Sequence, residues 1–324
     1  MPGAVLGDHM PNISRAKSTN KLRLIKRLRR DFKLNKYAYL LLVPACLYYI
    51  IFHYVPLFGA QIAFRDFNFK LGIAGSPWVG FEHFKSFFSS YYFTRLITNT
   101  FLLSFYNILF GFPAPIILAL MINEVKNRKF KRVTQSLTYL PHFISTVVVC
   151  GFILTFTARG GLINDIIAAF GGKTIAFMLE PKWFRTVYVV TEIWQAVGWG
   201  SIIYLASLSN INSEIYEACY IDGGGRFRQM ISVTLPGIAP TIIILLILRM
   251  GRILNVGLEK VLLLYNPVTY ETADIIQTFV YRKGLIELNY SYSAAVGLFN
   301  SVINFAMIVF VNFLCKKYSE TSLW

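Results

Sequence analysis

Six long apolar runs separated by shorter polar stretches set the rhythm of this chain. They lie at about 37–58 (YAYLLLVPACLYYIIFHYVPLF), 96–122, 134–157, 184–208, 236–255 and 290–314. Each approaches or exceeds the roughly 20 residues that a helix needs to cross a hydrocarbon core. The pattern therefore predicts an all-α polytopic membrane protein with six transmembrane helices. An even number of crossings puts both termini on one side. Pro113, Pro115, Pro141 and Gly198 fall inside the runs and are expected to interrupt them. Broken helices persist in membranes where neighbouring helices or a wet cavity satisfy the freed backbone groups, so the interruptions hint at a pathway, although proline also occurs in inert spans.

Composition agrees with the pattern. Hydrophobic residues make up 55% of the 324, and only 15% are charged, against about a quarter in soluble domains. The net charge of +16 is concentrated locally: residues 15–36 (RAKSTNKLRLIKRLRRDFKLNK) hold ten Lys or Arg and one Asp. Nucleic-acid binding is one reading of such a run. Membrane anchoring is the stronger one, because basic residues just before a first span set cytoplasmic orientation. Leu22, Ile25, Leu28 and Phe32 also recur at helical spacing, as in a surface helix lying on anionic lipid. The N-terminal tail, the loops 123–133 and 209–235 and the tail after Leu314 hold 19 of the 32 Lys and Arg, which assigns that side to the cytoplasm. The expected organisation is a basic cytoplasmic segment (1–36), a six-helix transmembrane domain (37–316) containing a cytoplasmic loop (210–235), and a cytoplasmic tail (317–324). The loops 59–95, 158–183 and 256–289 face outward, with glycine, proline and aromatic residues that suit short surface helices or a docking face.

Catalytic chemistry is not visible. Cys46, Cys150, Cys219 and Cys315 lack metal or disulfide spacing, and His9, His53, His83 and His142 lack metal-ligand spacing. The GGKT at 171–174 lacks the earlier glycine of a phosphate-binding loop, its place being taken by Ile167. No metal site, catalytic constellation or ATP site is expected in the chain itself.

One cytoplasmic stretch, EACYIDGGGRFRQM at 217–230, is too polar and glycine-rich to be a span. It reads as two short helices about a glycine hinge. Ser213 would be the N-cap, Ile215, Ala218 and Cys219 one apolar face, and Phe227, Met230 and Ile231 the other, with Pro236 starting the next span. Such a knob could dock in a partner's groove or rest on the bilayer.

The longer string EACYIDGGGRFRQMISVTLP resembles the cytoplasmic loop of bacterial ABC importer permeases. Their pattern is Glu-Ala-Ala, three residues, Gly, nine residues, then Ile-x-Leu-Pro. Glu217, Ala218, Gly223, Leu235 and Pro236 fall on it, Asp222 sits beside the motif glycine, Cys219 replaces the second Ala and Val233 replaces the Ile. IIFHYVPLFGAQIAFRDF, SPWVGFEHFKSFF and FGFPAPIILALMINEVKNRKFKRVTQSLTYLPHFIS are similar to the branch importing oligo- and polysaccharides, and the likeness covers most of 37–316. The resemblance implies the type I importer permease fold in a bacterial inner membrane. It also implies a second permease subunit, homologous but different, two cytoplasmic ATPase subunits that hold ATP and Mg, and an external solute-binding protein. The implied cargo is carbohydrate, acidic polymers such as alginate included. Glu217 would pair with a basic residue in an ATPase cleft, and Gly223 would allow the bend.

Ionisable groups inside spans are functional candidates. Glu192 in the fourth run and Arg249 and Arg252 in the fifth lie at matching depths. Glu192 is expected to pair with one arginine, leaving one positive charge for an anionic sugar; snorkelling of both arginines to the headgroups is the alternative. Trp194, Gln195, Trp199 and Tyr204 share the fourth run, where Gly198 and Ser201 would leave room for a passing chain, or the aromatic residues simply pack. A secondary transporter or channel working alone is the competing class; its transport would need no ATPase.

Overall fold

Helix dominates because the chain must satisfy its own backbone. A computed structural model describes residues 30–318 except Phe32. The described residues contain no strand, only an isolated antiparallel bridge between Arg65 and Trp78. The principal helices are α1 (Lys36–Phe64), α2 (Glu82–Phe88), α3 (Tyr92–Glu124), α4 (Arg128–Tyr139), α5 (Thr146–Thr157) and α6 (Leu162–Ala169). They continue with α7 (Pro181–Ser209), α8 (Ser213–Ile221), α9 (Arg226–Met250), α10 (Leu258–Leu264), α11 (Ile276–Tyr281) and α12 (Tyr290–Tyr318). The chain divides into two units, one ending at Gln61 and one beginning at Ile62. The anchoring helix expected before residue 36 lies almost wholly outside the described residues, as does the tail from 319.

Five segments are long and apolar enough to cross a membrane: α1, α3, residues 146–169, α9 and α12. The run 146–169 is itself interrupted at 158–161, between α5 and α6. The fourth predicted span forms α7, the long helix of 29 residues, but Arg185, Glu192, Gln195 and several hydroxyls hold its hydropathy down. It is also the helix on which the second unit is assembled, packing against α3, α4, α9 and the turn Tyr270–Ala273. Near its start Phe184 and Tyr188 join Leu103, Val149 and Val261 in one buried cluster. Near its end Tyr204 and Leu208 join Ala119 and Ile238 in another.

Three of the expected interruptions, Pro113, Pro115 and Gly198, leave their helices unbroken. Pro113 does not break α3, because the π-helical turn Asn107–Gly111 runs just ahead of it. Pro56 and Pro236 follow the π turns Ile50–Tyr54 and Met230–Thr234 in the same way. Val55 and Leu235, each just before its proline, donate to the carbonyl five residues back. The wider turn shifts the carbonyl four residues before the proline away from the ring that would otherwise clash with it. Pro236 therefore does not start a span: α9 runs unbroken from Arg226 to Met250. Pro141, by contrast, sits in the 3-10 turn Leu140–Phe143, after which Ile144 and Ser145 are extended, so the third run is split.

Gly198 does not interrupt α7 either. A Cβ there would collide with the backbone at Thr138 and Tyr139, so the glycine is a contact point between α7 and α4, with no space left for a passing chain. Gly198→Val should cost about 3 kcal/mol, the upper end of overpacking penalties, and lower the thermal midpoint of the purified protein. Gly151→Ala, which meets nothing within 4 Å, should leave that midpoint unchanged or slightly raised.

Candidate functional site

Two features of the second unit carry chemistry: a knob at one end of α7 and a charged cleft nearer the other. The knob begins at Asn212, whose side chain caps α8 by accepting from the Glu214 amide at 3.1 Å; the cap is Asn212 and not Ser213. At the far end Asp222 is the C-cap, and Gly223 takes the left-handed conformation with φ 77°. The Gly223 amide donates to Tyr220 O at 3.0 Å and the Gly224 amide to Cys219 O at 2.8 Å. This is a Schellman closure, which needs a residue free of Cβ strain at the left-handed position. Gly224 allows a second close approach, since a Cβ there would strike the Cys219 carbonyl.

Further bonds make the knob stiff. Gln229 Nε2 donates to Gly224 O at 3.2 Å, and Tyr216 Oη lies 3.1 Å from Thr234 Oγ1. The glycines thus form a fixed turn, and the second arm is the beginning of α9 itself. Outward, the knob presents Glu217 and Ala218 with Ile215, Tyr220, Ile221 and Phe227, all exposed. Glu217 has no ion-pair partner among the described residues. Leu235 and Pro236 lie just past the π turn of α9.

In the cleft, Glu192 does not pair with either arginine. Its carboxylate accepts from Lys260 Nζ at 3.0 Å. Lys260 is buried to 3% exposure, with its ammonium 5.3 Å from the centre of the Tyr188 ring. A buried lysine needs such a partner to stay charged. The lysine comes from α10, a short helix in a loop that the apolar pattern does not single out. With Glu192 occupied, Arg249 and Arg252 are both without an ion-pair partner among the described residues, so the surplus is two charges and not one. Both line a cavity of about 310 Å³ with Asn107 and Asn255. Arg249, Asn107, Glu192 and Tyr204 line an adjoining cavity of about 230 Å³ between α3, α7 and α9.

The aromatic and amide candidates separate. Tyr204 borders the cleft but is buried in the lower core. Trp199 stacks on His142 with ring centres 4.5 Å apart, and Gln195 Nε2 donates to Ile144 O at 3.3 Å. Trp194, Gln195 and Trp199 line neither cavity of the cleft.

A second polar cluster was not legible as one. Asp274, with no exposed surface, accepts from Arg282 Nη2 at 2.7 Å and from Thr278 Oγ1 at 2.8 Å, with Arg95 at 3.5 Å. Burial works against the Arg282 charge, but the hydrogen bond and charge of Asp274 outweigh it and hold the guanidinium pKa above its ordinary value. Asn99 Nδ2 donates to the carbonyls of Glu271 and Asp274, and its Oδ1 accepts from Arg185 at 2.8 Å. The cluster ties the loop 270–286 to α3 and α7.

Comparison with known proteins identifies the family. Residues 86–320 match the family described as binding-protein-dependent transport system inner membrane component. The chain is similar to the protein LplB of Bacillus subtilis (strain 168), 46% identical over 293 residues, covering 90% of this chain and 92% of that one. It is similar also to the polygalacturonan/rhamnogalacturonan transport system permease protein YteP of the same organism, 44% identical over 303 residues, 92% and 94% of the two chains. Among solved structures, a chain of a bacterial alginate ABC transporter, in complex with an alginate pentasaccharide-bound periplasmic protein, matches with a TM-score of 0.85. It is 41% identical, and the match covers 92% of this chain and all of that one. This chain belongs to the family of binding-protein-dependent transport system inner membrane components and is a multi-pass inner-membrane permease.

Proposed function

We propose that this chain is one of two permease subunits of an ATP-driven importer that moves an oligo- or polysaccharide into the cytoplasm. The second permease subunit is a homologous but different chain. Two cytoplasmic ATPase subunits hold ATP and Mg, and an extracytoplasmic solute-binding protein delivers the sugar. In this reading α7 supplies the remaining crossing, the fourth in chain order, kept less apolar because one of its faces lines the pathway. Both termini are cytoplasmic by the positive-inside bias. Residues 1–36 are the basic cytoplasmic segment, 37–316 the permease domain with the coupling loop 210–235, and 317–324 the tail.

The observation that carries the reading is the continuity of α9. One helix joins the exposed knob, with Glu217 and Asp222 beside its first turn, to Arg249 at the cleft, a path of roughly 35 Å at 1.5 Å per residue. An ATPase that grips the knob would move that arginine relative to α7 without a flexible joint between. Glu217 and Ala218 with the apolar residues around them form the gripped surface, Gly223 fixes its shape, and Leu235 and Pro236 pass the displacement into the span. In a reconstituted complex, Glu217→Ala is expected to lower transport and the ATPase activity stimulated by loaded binding protein about tenfold or more, as for a lost buried charge-assisted contact. Transport by the purified chain without any ATPase would refute the proposal.

The cargo is acidic. YteP is named for polygalacturonan and rhamnogalacturonan, and a further similar structure is of an importer of the acidic polysaccharide alginate. Arg249 and Arg252, unpaired in a polar cavity, suit a carboxylate through paired hydrogen bonds, and Glu192 held by Lys260 keeps a third charge from cancelling them. Tyr204 borders the same path, whereas Trp194, Gln195 and Trp199 shape α7 from its other faces. The variant Arg249→Ala/Arg252→Ala should slow uptake of an oligouronate by roughly tenfold or more, about 1.4 kcal/mol, and spare a neutral oligosaccharide if one is carried. Equal uptake of the oligouronate by the variant and the native protein would remove the acidic-cargo assignment.

A further inference from the structure

A third cavity, of about 460 Å³, lies outside the cleft, between α3 and the first half of α7. Its walls are mainly apolar, Tyr106 and Phe110 from α3 and Val189, Val190 and Ile193 from α7, with Thr186 beside them. One end is cationic, formed by Arg185 and, further out, Lys182. Lys182 is exposed and pairs with Glu180 at 2.9 Å. Arg185 has no carboxylate: the nearest acid of the polar cluster, Asp274, is taken by Arg282 and Arg95. Its Nη2 rests on Asn99 Oδ1 at 2.8 Å, and its buried Nε has no hydrogen-bond partner. Asn99 is in turn fixed by two backbone carbonyls. The guanidinium is therefore held in place over an apolar trough, with a charge that nothing in the described chain neutralises.

The geometry fits an amphiphile. Arg185 is about 6 Å along α7 from Pro181, and the trough runs from there roughly 12 Å further to Ile193. An anion at Arg185 would sit near the end of the helix while an alkyl chain followed the trough toward the membrane interior. A sugar fits poorly, because beyond the hydroxyls of Tyr106 and Thr186 and the two cations the walls offer its many hydroxyls no partner. A helix of another subunit could fill the trough but would have to supply an acidic residue for Arg185. The bilayer supplies both parts in one molecule.

We infer that this cavity binds an anionic phospholipid, with its phosphate on Arg185 and an acyl chain between α3 and α7. The test uses the assembled complex in detergent, exposed to phosphatidylglycerol, phosphatidylcholine or inorganic phosphate, with bound lipid counted by native mass spectrometry. The native complex should retain phosphatidylglycerol in preference to phosphatidylcholine, and inorganic phosphate should not displace it. Arg185→Ala should reduce that retention roughly fivefold, the effect of one membrane-facing cation. Val190→Trp, at an exposed wall position, should do the same by filling the trough while leaving Arg185 and its Asn99 contact in place. Equal retention by the native complex and Val190→Trp would overturn the inference. So would a photo-reactive benzoylphenylalanine at residue 190 that cross-links to a protein subunit and not to lipid, and so would displacement of the lipid by phosphate alone.

Discussion

Hydrocarbon offers no hydrogen bonds, and this structure is arranged around that constraint. Ahead of Pro56 in α1, Pro113 in α3 and Pro236 in α9, a π-helical turn relieves the clash and keeps the helix continuous. Where the chain buries a charge it supplies an opposite one: Lys260 meets Glu192, and Asp274 meets Arg282 and Arg95. Against that background, Arg249, Arg252 and Arg185 stand out, because each keeps a positive charge that the described chain does not neutralise. Their surroundings differ. The first two share a polar cavity with asparagines, and the third overlooks an apolar one.

The proposed coupling requires a small knob to act at a distance. A flexible glycine hinge would absorb a push from below. The Schellman turn at Gly223, with the bonds from Gln229 and Tyr216, leaves the knob as a rigid extension of α9. On the other side, α7 is clasped by α4 at Gly198, where the two backbones touch. In the proposed mechanism a displacement of α9 is delivered as a change in its spacing from α7, across the cleft that Arg249 and Glu192 both line.

Much of this was readable from residue order. The apolar runs located the long helices, and the EACYIDGGG string located the knob and its family, because a Schellman glycine and a capped helix are local features with local signatures. The charge partners were not readable. Glu192 and Arg249 match in depth, yet Lys260 reaches Glu192 from a loop helix, and proximity across a loop leaves no periodic trace. Asp274 and Arg185 sit outside or at the edge of the apolar runs and look like ordinary loop charges until the fold brings Asn99 between them. Gly198 was visible as a glycine, but whether it opens space or closes it depends on a backbone sixty residues away. Pro236 was misread as a helix start because the π turn that accommodates it has no simple sequence mark.

The central claim, that α9 moves as one lever, is tested most directly by spin-label distances in the assembled complex with its native cysteines replaced. Labels at Phe227 and Leu248 report the length of the helix, roughly 32 Å at 1.5 Å per residue, and labels at Leu248 and Val190 report its spacing from α7. On trapping the ATPase subunits with ATP, the account predicts an unchanged first distance and a shifted second one. A first distance that changes while the second stays fixed would mean that α9 bends and the knob does not drive the cleft.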